Sequence, residues 1–390
     1  MKNDFDCVIP RNGTSSLKYD AREDYFGRED VLPLWVADMD FAAPEAVQRA
    51  LTERAAHPIY GYTVYPESLY DALMHWLDKR HDWTVQREWI ILCPGVVPSL
   101  HASIFALSQP DDAVIVQPPV YAPFLSAPKF AGRRLLLNPL KFEHGHYCFD
   151  LDHFEQCVAD GARLLLLCSP HNPVGRVWQS QELQALLEIC QCYGITVISD
   201  EIHADLVYPG FQHTPLDRLS GGAVNIVTAV APSKTFNIPG LGLSALIVPD
   251  KTDREAMGKA FDMLHVSAAN PFSIVAFEAA YREGALWLGE LLGYLAVTRG
   301  FVRTYLQQHL PRIKLIEPEG TYLLWLDCRE MKLSDKQLRQ FFVQDAGVGL
   351  SPGILFGAEG SGFMRMNIGA PRKVIAEALQ KIARAERARQ

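Results

Sequence analysis

Short apolar runs alternate with segments of helical spacing through the middle of the chain. Residues 113–117 (AVIVQ) form a run that stops at Pro118-Pro119, and residues 163–168 (RLLLLC) form another that stops at Ser169-Pro170. Apolar side chains then fall at Leu183, Leu186, Leu187 and Cys190, the i, i+3, i+4, i+7 spacing of an amphipathic helix over residues 180–193. Gly194 follows, where a helix commonly ends because glycine adopts the left-handed C-cap conformation without a steric penalty. Further strands are predicted at residues 195–199 (ITVIS), 225–230 and 243–248. Such apolar strands separated by helices need cover on both faces, which predicts a mostly parallel sheet flanked by helices.

The last third reads differently. Helical spacing dominates residues 271–310, followed by strand candidates at 321–327 (TYLLWLD) and 362–368 (GFMRMNI) and a closing helix at 372–385. Strands and helices without a regular parallel repeat predict a smaller α+β domain. The first 45 residues carry no long periodic element and are expected to pack onto it. The expectation is therefore an α/β chain with a large domain over 47–285 and a small domain built from 1–46 and 286–390, with no internal repeat.

Length agrees with this division, since 390 residues suffice for two domains. An apolar fraction of 48% excludes extensive disorder. Lys and Arg number 37 against 45 Asp and Glu, a net charge of −8 that argues against a nucleic-acid partner. The opening MKNDFDCVIPRNGT mixes charges where a signal peptide needs an apolar core. No run of about 18 apolar residues occurs, so no membrane span is expected. The cysteines at 7, 93, 148, 157, 168, 190, 192 and 328 form no CxxC pair. They read as reduced thiols of a cytoplasmic protein and not as a zinc or redox module.

Three strand-end residues are candidates for chemistry. Lys234, in AVAPSKTFNIPG, follows an apolar strand. A lysine there is ordinarily solvated; desolvated, its amine becomes a nucleophile toward carbonyls. Asp200 closes ITVISD at the carboxyl end of a strand, where open α/β sheets place ligands. Pyridoxal phosphate chemistry needs such an anion beside the ring nitrogen. Asn172, in CSPHNPVG, is either a turn initiator before Pro173 or an amide donor to that cofactor's phenolic oxygen. Two other motifs are set aside. The GxGxxA match at Gly240–Ala245 precedes a strand, where a dinucleotide fingerprint precedes a helix. His144 and His146 lack a convincing third ligand and read as a solvated turn, so no metal is expected.

The order Asn, Asp, Lys on successive βα units resembles the fold-type I pyridoxal-phosphate enzymes of the aminotransferase superfamily. LPLWVADMDF (32–41), IYGYTVYP (59–66), QPPVYAPF (117–124), LCSPHNPVGRVW (167–178), ISDEIHADLVY (198–208), SKTFNIPGL (233–241) and MRMNIGAPR (364–372) are similar to the MalY/PatB group of cystathionine β-lyases. The resemblance makes the large domain a cofactor domain. It implies Lys234 as the covalent anchor of pyridoxal 5′-phosphate and the base at Cα, Asp200 as partner of the ring nitrogen and Asn172 as donor to the ring oxygen. It places His203 where many aminotransferases carry Tyr, and Tyr121 as the aromatic stacked on the ring. Gly95, Val96 and Val97, ahead of a helical pattern read from Ser99, are the expected phosphate donors with Ser233. Tyr62 is implied to serve the neighbouring subunit's phosphate, hence a homodimer with shared active sites. Arg365 is implied to grip the substrate carboxylate, for which a guanidinium fork is suited, with Asn172 beside it. Ala231 and Gly242 stand where the wider superfamily often has Ser and Arg, which shifts phosphate binding toward Tyr62, Ser233 and the loop amides.

The resemblance implies α,β-elimination from L-cystathionine or related S-substituted L-cysteines to a thiol, pyruvate and ammonia. Lys234 or a nearby tyrosine, such as Tyr121 or Tyr62, is the expected source of the proton for the leaving thiol. An aminotransferase would use the same apparatus to pass the amino group to a 2-oxo acid. A regulator that keeps the site for binding alone is a third possibility, against which the intact residue set speaks.

Overall fold

The computed structural model describes residues 3–263, 265 and 270–389; residues 1, 2, 264, 266–269 and 390 of the two expected domain ranges lie outside the described residues. A seven-stranded sheet runs in the order Ile90–Cys93, Ser244–Ile247, Ile226–Val230, Thr196–Asp200, Ala162–Cys168, Ala113–Val116 and Arg134–Leu137. The last five are parallel neighbours, as the apolar runs predict. Ser244–Ile247 runs antiparallel to both of its neighbours. Only a one-turn helix, Pro232–Thr235, and a 3₁₀ turn, Pro239–Leu241, join it to the preceding strand, with no helix long enough to carry the chain back along the sheet as a parallel crossover does. The two edge strands, Ile90–Cys93 and Arg134–Leu137, were not among the predicted runs. Both are four residues long and only partly buried, so their burial pattern is that of an edge.

Alternation along the central strands sorts side chains between two layers. Leu165 and Leu167 join Ile115, Val197, Ile226 and the helix Ser180–Tyr193 on one face. Leu164, Leu166 and Cys168 join Val114, Val116, Ile198 and the helix Val96–Leu107 on the other. Each fully buried leucine in these layers contributes about 1.5–3 kcal/mol of burial free energy. The predicted helix 180–193 buries Leu183, Leu186, Leu187 and Cys190, and Gly194 caps it in the left-handed region at φ 65°. Asp200, two residues beyond Ile198, therefore faces the layer of helix Val96–Leu107.

A smaller antiparallel sheet follows the order Lys314–Ile316, Leu323–Asp327, Phe363–Asn367 and Ser351–Pro352. The helices Ala285–His309 and Arg372–Arg389 pack beside it. By length and composition Ala285–His309 is apolar enough to cross a membrane. Here Trp287, Leu288, Leu291, Leu295, Val302 and Leu306 bury one stripe of it in the core. The N-terminal segment is tied to this part of the chain, Leu32–Pro33 pairing in parallel with Val348–Gly349 and Arg28 donating to the Val343 and Gln344 carbonyls. The His144-Gly145 pair forms the positive-φ turn of a hairpin between Lys141–Glu143 and His146–Cys148.

Candidate active site

Several strands of the large sheet end at one cavity of about 240 Å³. Cys168 and Asp200 are the last residues of their strands, Gly95 follows Cys93 by two positions and Lys234 follows Val230 by four. Gly95, Val96, Val97, Tyr121, Asn172, Asp200, His203, Ser233 and Lys234 all line this cavity. Arg365 stands behind Asn172, its Nη1 donating to Asn172 Oδ1 at 3.1 Å. Tyr62 is not brought in: its side chain is fully exposed on its own chain.

Local backbone explains why these residues converge. Gly95 has φ 154° and ψ 162°, a region open almost only to glycine. It turns the chain into the helix Val96–Leu107, whose unsatisfied first-turn N–H groups form a ready anion site. That helix begins three residues before the Ser99 start read from periodicity, because Pro98 in the first turn costs no intrahelical hydrogen bond. Gly242 has φ 52°, and a Cβ there would approach the Pro94 carbonyl oxygen to 3.2 Å. An arginine at this position would strain the same turn.

Burial dominates the electrostatics. Lys234 Nζ donates to the Ala37 carbonyl at 2.6 Å; burial, then the charge of Arg365, lowers its pKa to about 8. Burial raises Asp200 to about 7, opposed by a 3.1 Å hydrogen bond from the Ile202 N–H and by Lys234. His203 is pushed down to about 3 by burial and the same cations, so its ring is neutral, and its Nδ1 is buried without a partner. Burial lowers Arg365 to about 10, and it stays charged near neutral pH. Its Nη2 donates to the Trp35 carbonyl at 2.8 Å, while Nε is buried without a partner. The Tyr121 hydroxyl is raised by burial. Lys234 in the cavity wall and the buried Arg365 behind Asn172 favour anionic ligands.

The segment 35–41 is the part of the site whose role the motifs did not disclose. The Ala37 carbonyl accepts from Lys234 and also from the Tyr322 hydroxyl at 2.9 Å. Asn367 Nδ2 donates to the Val36 and Asp38 carbonyls, and Asn237 clamps Met39 and Phe41. Asp38 and Asp40 are in turn paired with Arg11 and the fully buried Lys18. A backbone carbonyl has no signature of its own in sequence. The only signal was the wording LPLWVADMDF, which marked the segment without assigning it a task.

With this geometry in place, the comparisons with known proteins define the class. The family model "Aminotransferase class I and II" matches residues 29–382, and the chain belongs to that family. Within it, cystathionine beta-lyase PatB of Bacillus subtilis (strain 168) is 42% identical over 97% of this chain and 98% of its own. Protein MalY of Escherichia coli (strain K12) is 31% identical over 99% of both chains. The crystal structure of cystalysin from Treponema denticola, which contains a pyridoxal 5′-phosphate cofactor, matches with a TM-score of 0.97 at 34% identity and covers 100% of each chain. The family resemblance and the fold class read from the motifs are both borne out.

Proposed function

We propose that this chain is a pyridoxal 5′-phosphate-dependent carbon–sulfur lyase that performs α,β-elimination on L-cystathionine or related S-substituted L-cysteines. One observation carries the reading: one cavity joins an amine lowered to about 8, a strand-end carboxylate and a helix N-terminus, with Arg365 one hydrogen bond away. Full-length similarity to a cystathionine beta-lyase favours elimination over amino transfer. The residues fit the cofactor. Asp200 has a buried carboxylate facing the cavity, His203 a buried unpartnered Nδ1, and residues 95–97 unsatisfied N–H groups. Asp200 would hold the ring nitrogen, Asn172 the ring oxygen, Tyr121 and His203 the ring, and Gly95, Val96, Val97 and Ser233 the phosphate, with Lys234 as covalent anchor. When bound, the cofactor supplies an electron sink for the carbanion at Cα.

The remaining work falls to side chains. Arg365 grips the substrate α-carboxylate, its unpartnered Nε gaining an acceptor, and the bond to Asn172 Oδ1 sets the angle of the fork. Lys234 removes the Cα proton. In the cofactor-free chain its pKa of about 8 leaves roughly a tenth of the amine uncharged at pH 7, some 300-fold more than for an ordinary lysine, ready to couple to the cofactor's carbonyl. The Ala37 carbonyl holds the free amine at a defined place. Cofactor-loaded protein given L-cystathionine and no 2-oxo acid is expected to release pyruvate and a free thiol over many turnovers, and Lys234→Ala to release neither. Amino transfer that appears only when a 2-oxo acid is added would reassign the chain as an aminotransferase. Failure of both reactions would favour another substrate or a binding role.

We further propose a homodimer in which Tyr62 completes the partner's phosphate site. Support comes from segment 58–66, which has no helix or strand and leaves Ile59, Tyr60, Tyr62 and Val64 exposed together. The division into domains at 47–285 and at 1–46 with 286–390 belongs to the same proposal. So does a cytoplasmic setting, which would keep the eight free thiols reduced.

A further inference from the structure

Behind the cavity lies a buried carboxylate that plays no part in the roles assigned above. Asp205 follows the strand Thr196–Asp200 by five residues and is 5% exposed. Its Oδ1 accepts from Trp76 Nε1 at 3.1 Å and from His81 Nε2 at 2.9 Å, and its Oδ2 accepts from the Thr235 hydroxyl at 2.9 Å. Arg80 Nη2 donates to its backbone carbonyl at 3.3 Å. Burial pushes this carboxyl up, but the hydrogen bonds and the neighbouring positive charge outweigh it, and the net direction is down.

The partners come from two places that matter to the site. Trp76, Arg80 and His81 end the helix Glu67–His81, which continues directly from the exposed segment that carries Tyr62. Thr235 is the residue after Lys234 and the last of the one-turn helix Pro232–Thr235. A helix of four residues has almost no stability of its own, so the direction of Lys234 depends on what grips its neighbours. Thr235 is gripped by Asp205. The next residue, Phe236, is fully buried and meets the Trp76 ring edge-on at 5.5 Å. One carboxylate thus links the lysine-bearing turn to the strand-end segment of Asp200 and His203 and to the helix Glu67–His81.

We propose that Asp205 is a positioning residue for Lys234, acting through the Thr235 hydroxyl. The inference rests on Lys234 being the reactive amine. Misplacing a reacting group by about 1 Å costs up to about a hundredfold in rate, and one hydrogen bond to a charged group is worth at least about tenfold. Removing Asp205 outright would leave buried donors unpaired and endanger the fold, so the decisive changes are made at Thr235. Thr235→Val deletes the hydroxyl and keeps the shape, whereas Thr235→Ser keeps the hydroxyl.

Two readouts are taken on the full chain. The first is the rate at which Lys234, after cofactor removal, couples to added pyridoxal 5′-phosphate, followed by visible absorbance. The second is kcat and KM of the loaded enzyme for L-cystathionine. T235V is expected to couple about tenfold more slowly and to lose about tenfold in kcat with KM held within about twofold, and T235S to recover both rates to within about twofold. Coupling and kcat unchanged in T235V, even with a lowered melting temperature, would overturn the inference in favour of a purely structural tie. T235S as slow as T235V would overturn it too. Failure of the wild type to couple at all would instead remove the reading of Lys234 on which it rests.

Discussion

Replacing Asp200 by Asn tests the electrostatics of the cavity without altering its shape. Asp200 is buried at the end of its strand, and burial raises its pKa from 3.8 to about 7 in the cofactor-free chain. Between these two values the folded chain keeps a proton that the unfolded chain has shed, so stability falls as pH rises from about 4 to about 7. At about 1.36 kcal/mol per pKa unit the whole shift amounts to about 4 kcal/mol, of which roughly 3 kcal/mol falls between pH 4.5 and 7. Lys234, lowered to about 8, stays largely protonated over this window and leaves the slope unchanged. Asparagine does not titrate, so cofactor-free Asp200→Asn should gain about 3 kcal/mol on the wild type between pH 4.5 and pH 7. Urea unfolding of both proteins at both pH values gives the number, and the double difference cancels every group they share. In the loaded enzyme a protonated ring nitrogen would hold the carboxylate ionised, so D200N should lose at least about a hundredfold in kcat. Parallel pH dependences of stability in the two cofactor-free proteins would refute the reasoning.

Arg365→Lys keeps the charge but not the fork; KM for the amino acid should rise by about a hundredfold with a smaller fall in kcat, and an unchanged KM in steady-state kinetics would remove Arg365 from carboxylate binding. Gly95→Ala meets no clash, the nearest atom to a new Cβ being Pro98 Cδ at 3.7 Å. Its cost is backbone strain of about 1–3 kcal/mol, which should weaken cofactor binding by about tenfold or more in a titration of the cofactor-free protein; unchanged affinity would show that the loop does not need this glycine. Tyr62→Ala and Lys234→Ala should each be nearly inactive alone. Unfolded together and refolded, they should recover about a quarter of wild-type activity, since half of the dimers are hybrids with one intact site each, and no recovery would speak against shared sites.

Much of this architecture is legible in the sequence alone. Fully apolar runs such as 164–168 can only be central strands or buried helix, and Pro170 and the flanking helical spacing decide for strands. The helix over 180–193 and its cap at Gly194 were equally plain, because both depend on local periodicity and local φ. The short edge strands Ile90–Cys93 (IILC) and Arg134–Leu137 (RLLL) were not: they are apolar in sequence, but runs of three or four apolar residues do not separate a strand from a turn of buried helix. Nor was the reversal of Ser244–Ile247, which depends on the path its connection takes and not on the strand itself. In the site, Lys234, Asp200 and Asn172 stood out because a polar group at the end of a buried strand has no packing reason to be there. Their pKa shifts did not, because desolvation depends on what the whole fold stacks around a side chain. Ala37, Tyr322, Thr235 and Asp205 stayed invisible for a related reason. A carbonyl or hydroxyl becomes a positioning group only when residues far apart in sequence meet, as Ala37 and Lys234 do across 197 positions. Chain order carries the reactive groups; the distances that make them reactive exist only once the layers are packed.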